Sequence, residues 1–130
     1  SKEDGLTGIL KLLKAKFPIL VNEGLSALIS LLKIEESRSQ IGKFKDLTPV
    51  LLSLLKHMVL GSANLVDYLT FYVQDNVRET ALALHLLALN SDAAHQLALD
   101  NGVALIKQAL STHPDNTDLV AALERVPADV

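Results

Sequence analysis

Between Ala81 and Leu89 the chain carries a single polar side chain, His85. A run of Ala and Leu strongly favours helix, and a helix needs a polar stripe wherever it meets water. One that is apolar around almost its whole circumference has to be covered on several sides. The segment therefore predicts a central helix with other helices packed around it. Its start is predicted at Asn76, because Asn76 followed by Glu79 matches the capping-box spacing. The helix then runs to Asn90.

The residues that follow extend the pattern. Ser91 or Asp92 is placed to cap a short helix, and Asn101-Gly102 supplies residues that tolerate the left-handed backbone in which helices end. We assign the positive φ to Gly102, so a β-branched residue there is expected to destabilise the fold. Val103, Leu105, Ile106, Ala109 and Leu110 have the i, i+3, i+4 spacing of an amphipathic helix, broken at His113-Pro114-Asp115. A last helix fits Thr117 to Arg125, before Pro127.

The order of these elements resembles the armadillo repeat, a unit of about 40 residues whose helices stack into a solenoid. In that family a long third helix beginning V-x-E-x-A-L leads through a short first helix and a glycine to an A-L-I/V-x-x-L second helix. The matching residues are Val77-Arg78-Glu79-Thr80-Ala81-Leu82, then Asp92 to Asp100, Gly102, and Ala104-Leu105-Ile106 through Leu110. His113 to Asn116 resembles the turn between second and third helices. The resemblance is good from Asp75 to Arg125 and weaker before it, and HEAT repeats are a close alternative.

The first half contains internal similarity. GLTGILKLLK at 5–14 aligns without gaps to GLSALISLLK at 24–33, and VLLSLLK at 50–56 repeats its end. Helices are predicted from Leu6 to Ala15 and from Pro18 to Ile34, the second opened by a first-turn proline and weakened by Gly24. A short helix fits Glu36 to Phe44. Thr48-Pro49 reads as a cap and N1 proline for Val50 to Leu60. The fold expected is thus all-α, a right-handed α-solenoid of about three armadillo-like units in one domain: a partial repeat at 6–34, a repeat with an insert at 36–90, and a repeat at 91–126. The insert, Val59 to Val73, holds three of the five aromatics, Tyr68, Phe71 and Tyr72. It reads as an added core helix or as an aromatic binding patch.

Hydrophobic residues are 49% of the 130, yet aromatics are only 4%, so the core has to be packed by aliphatic side chains and alanine. The absence of cysteine excludes disulfides and thiolate sites. The longest uncharged run, Thr80 to Ser91, is well short of the roughly 18 residues of a membrane span. The charged start, Ser1 to Gly5, has no signal-peptide pattern, so a cytoplasmic location is expected.

Charge is distributed unevenly. Residues 1–65 hold 9 Lys/Arg against 6 Asp/Glu, and residues 66–130 hold 3 against 9. Such polarity orients an encounter with a charged partner. The acidic total and scarce aromatics argue against nucleic acid. No catalytic constellation is present. His57, His85, His95 and His113 lack metal-peptidase spacing, there is no nucleophile elbow or phosphate loop, and Glu35-Glu36 and Asp115/Asp118 read as solvated helix ends. No enzyme, metal or cofactor is expected.

The resemblance implies a non-catalytic interaction scaffold, with a peptide or partner helix bound on a concave surface lined by the long helices. The candidate contact residues are Asn22, Glu23, Ser26, Ser30, Arg78, Thr80 and His85, with Tyr68 and Phe71 from the insert. The nuclear-import members grip basic peptides with tryptophan and asparagine ladders, and this chain has no tryptophan, so that use is not expected. The alternative is a structural or oligomerisation segment of a longer solenoid. Ile9, Leu10, Leu12 and Leu13 spread over more than one face of the first helix, which a homodimer would cover.

Overall fold

A computed structural model describes the backbone at residues 2–60 and 67–128 and the side chains at 5–58 and 74–128. Among these residues there are eight helices and no strand: α1 (Lys2–Leu13), α2 (Pro18–Leu32), α3 (Glu35–Ile41), α4 (Leu47–Leu60), α5 (Asp67–Leu87), α6 (Ser91–Leu99), α7 (Gly102–Thr112) and α8 (Thr117–Arg125).

The apolar segment that opened the sequence reading occupies the C-terminal half of α5. Ala81, Ala83, Leu84 and Leu87 are buried there, and α5 packs against α2, α4 and α8. Its apolar circumference is covered on three sides. Two sets of packed helices result. The helices α2, α5 and α8 follow one another in contact, as do α1, α4 and α7, and each of α1, α4 and α7 packs on the helix of the first set that lies nearest to it in sequence. The core between them is aliphatic, with Leu13, Leu25, Leu28, Leu51, Leu55, Leu84, Leu97, Ile106 and Leu119 almost fully buried. Buried alanines at 81, 83, 93, 109 and 122 let helix axes approach closely, as the aromatic-poor composition requires.

Several expectations are corrected. Asn76 does not cap a helix. It lies inside α5 and is buried, and its side chain is used in contacts with α2 described below. The helix starts upstream at Asp67, so the C-terminal part of the insert extends the following helix. The start of α6 is capped by Asn90, whose Oδ1 accepts from the Ala93 N–H at 3.0 Å, and not by Ser91 or Asp92. Thr48 is not the cap of α4, which begins at Leu47. Its buried hydroxyl donates instead to Asp100 Oδ2 at 2.5 Å, tying α4 to the α6–α7 corner. Burial is what moved Asn76 and Thr48 from local caps to tertiary partners.

Two glycines are required by close approach. At the α6–α7 corner the positive φ belongs to Asn101 (φ 67°), and no described glycine has one. Gly102 is needed because a Cβ there would lie 2.5 Å from the Leu97 carbonyl oxygen. Gly24, expected to weaken α2, allows α1 to cross it, since a Cβ would lie 2.8 Å from Leu12 Cβ. That crossing buries Ile9, Leu10 and Leu13 within the single chain. Of the four apolar residues singled out on this helix, only Leu12 remains half-buried.

Candidate functional site

The polar residues singled out on the long helices converge in part. On α2, Asn22 and Ser26 are one turn apart; on α5, Asp75 and Glu79 have the same spacing. Asn22 Nδ2 donates to Asp75 Oδ2 at 2.7 Å and to Asn76 Oδ1 at 2.9 Å. Ser26 Oγ donates to Glu79 Oε2 at 3.3 Å. Both α2–α5 pairs are separated by 53 residues. A constant offset over successive turns means that the two helices run parallel. Asn76 Nδ2 completes the link by donating to the Pro18 carbonyl at 3.0 Å.

Electrostatics along this seam are acidic. Asp75 and Glu79 stand against one cation, Arg78, and Arg78 Nη2 is already paired with Asp75 Oδ1 at 2.6 Å. The Arg78 side chain is nonetheless 70% exposed, so its other guanidinium edges face solvent. Burial pushes the Glu79 carboxyl above its ordinary value, and the Asp75 carboxylate pushes the same way. The Ser26 hydroxyl and the Arg78 guanidinium oppose both. The largest of these effects on Glu79 is its burial, with the neighbouring Asp75 carboxylate second.

The remaining candidates separate. Glu23 and Ser30 are exposed, but the Ser30 hydroxyl turns back to the Ser26 carbonyl at 3.0 Å. His85 lies further along α5, where Nδ1 is 2.8 Å from Asp118 Oδ1 on α8, with both side chains about one third exposed. This pair links α5 to α8 as Asn22 and Ser26 link α5 to α2. Thr80 is a correction: it is fully buried and its Oγ1 has no hydrogen-bond partner, so no partner can touch it. Tyr68 and Phe71 fall in the first turns of α5, where the side chains lie outside the described residues.

Sequence reasoning missed Asp75, Asn76 and Asp118. The available signal was the polar stripe Asn22-Ser26-Ser30 on an otherwise apolar α2, which calls for polar partners on the neighbouring helix. Two clefts, of about 430 and 600 Å³, are lined by none of the described candidates. No group of three or more His, Asp or Glu side chains able to hold a metal occurs among the described residues, and no described helix is long and apolar enough to cross a membrane. Compared with protein-family models, curated proteins and solved structures, the chain finds no match.

Proposed function

We propose that the chain is a non-catalytic protein-interaction module built as an armadillo-like solenoid, in which the row α2, α5, α8 lines the concave side and receives an extended peptide or a partner helix. The observation that carries this reading is the parallel alignment of α2 and α5, with both cross-helix pairs offset by 53 residues. An up-and-down bundle places sequential neighbours antiparallel, whereas stacked repeats set equivalent helices side by side in the same direction. The helix order supports the same grouping: α1–α2, then α3–α4–α5, then α6–α7–α8. These groups correspond to units at 6–34, 36–90 and 91–126.

The chemistry of the row defines the partner. Glu23, Asp75 and Glu79 outweigh Arg78, so the ligand carries lysine or arginine, recognised by charge and hydrogen bonding without a tryptophan ladder. Asn22 and His85 act mainly as ties between helices, while Glu23, Ser26, Arg78 and Glu79 meet the ligand. Peptides selected from a random display library against the wild-type chain test this. Enrichment in basic residues is expected, together with amide shifts along α2, α5 and α8 and loss of binding in the Glu23→Lys, Glu79→Lys variant. Selected peptides that shift only α1, α4 and α7 would sink the reading.

The second reading, a self-associating or internal solenoid segment, is favoured by one feature. A mainly apolar cleft of about 430 Å³ opens between α1, the end of α2 and α3, lined by Leu6, Leu31, Ile41 and Phe44. Light scattering over a range of concentrations separates the two, because a mass that rises toward a dimer supports this one.

A further inference from the structure

The corner joining α1 to α2 reads Lys14-Ala15-Lys16-Phe17-Pro18-Ile19. Phe17 is 67% exposed and Ile19 46% exposed, so two large apolar side chains two residues apart stand in water. Local folding does not explain Phe17. It occupies the N-cap of α2 with extended backbone and no side-chain cap hydrogen bond, a position where Ser, Thr, Asp or Asn stabilises a helix by accepting from a free N–H. Neither Phe17 nor Ile19 lines a described cleft. Among the described residues both face solvent, and burial of this pair against an apolar surface is favourable.

Beside this tip lies the cleft of about 600 Å³ between the end of α1 and the start of α4. Lys14, Lys16, His57 and Ser53 line it, and none of the described acidic residues does. Lys11, one turn before Lys14, adds a further exposed cation to the last turn of α1. Glu23, one turn beyond Ile19, is exposed and marks the edge of the positive region.

We infer that this corner docks on an anionic lipid surface: Phe17 and Ile19 enter the headgroup–acyl boundary while Lys14, Lys16 and His57 hold a headgroup phosphate in the adjoining cleft. Apolar side chains flanked by lysines match the two attractions such a surface offers, apolar burial and the negative potential of its headgroups. An acidic peptide would satisfy the lysines but would leave Phe17 and Ile19 without an apolar partner. The inference does not use the α2–α5–α8 row and stands or falls apart from it.

Co-sedimentation of the chain with phosphatidylcholine vesicles, with and without phosphatidylserine, tests it. Binding is expected only with phosphatidylserine and is expected to weaken with added salt. Lys14→Glu with Lys16→Glu is expected to lower partitioning by at least about thirtyfold, and Phe17→Ser with Ile19→Ser by at least about tenfold. All four side chains except part of Ile19 are well exposed, and circular dichroism checks that the variants fold. No sedimentation with either vesicle overturns the inference. Binding that ignores the Phe17 and Ile19 substitutions, or that inorganic phosphate abolishes at constant ionic strength, overturns it in favour of a soluble-anion site.

Discussion

Replacing Gly102 by alanine isolates one contact at the corner between α6 and α7. The added Cβ would stand 2.5 Å from the Leu97 carbonyl oxygen, where a carbon–oxygen contact is ordinarily about 3.3 Å or more. The obstacle is backbone at the end of a helix, so relief requires moving α6 or α7, both packed on α4. Overpacking of this kind costs about 1–3 kcal/mol. Gly102 is the first residue of α7, where alanine returns only part of the roughly 1 kcal/mol it gains in a helix interior, leaving a net loss of about 1–2 kcal/mol. For a chain of this size that lowers Tm by roughly 4–8 °C. Thermal unfolding followed by circular dichroism reads it directly, with Gly8→Ala as the control. No atom lies within 4 Å of a Cβ built at Gly8, so the same change in α1 is expected to stabilise by roughly 0.5–1 kcal/mol. Equal Tm values for wild type and Gly102→Ala would refute the close-approach argument. If the positive φ were at residue 102, Asn101→Val would be harmless; with Asn101 at φ 67° it is expected to destabilise.

Three further outcomes follow from buried or crowded groups. Leu84→Asp places an unpaired carboxylate at a fully buried position and is expected to cost more than about 3 kcal/mol, seen as loss of cooperative unfolding. Thr80→Val removes the hydroxyl whose oxygen has no partner while keeping the shape, and is expected to stabilise by about 1 kcal/mol in denaturant titration. Glu79, whose folded-state value is raised by burial and then by Asp75, favours the fold below its unfolded value of about 4.3. That contribution is lost as pH rises through the folded-state value. Glu79→Gln is therefore expected to raise stability at neutral pH relative to wild type and to flatten the fall in stability as pH rises above the carboxylate range. A steeper fall in the variant would contradict the sign.

The candidate row was partly legible in the residues. Asn22, Ser26 and Ser30 repeat at four-residue spacing along an apolar helix, so a polar seam on α2 could be read without coordinates. Its partners could not. Asp75, Asn76 and Glu79 look like the beginning of a helix, because a capping box is written in the same residue types that serve a buried cross-helix contact. The same competition misplaced the cap at Thr48, whose hydroxyl serves Asp100; at α6 the cap is Asn90, one residue earlier than read. Thr80 reads as a surface residue because it is a polar residue of a long helix, but helical rotation carries it into the core.

By itself the sequence determined that the chain is helical, where its main breaks fall, and that the segment around Leu84 is central, because these follow from propensity and from the period at which apolar residues recur. Both are local properties, carried within a few turns of chain. The tertiary structure decided what each polar side chain is for. Whether Asn76 satisfies its own helix or the Pro18 carbonyl 58 residues away, and whether Gly102 supplies a turn or a gap, depends on which helix lies opposite, and no local pattern records that distance.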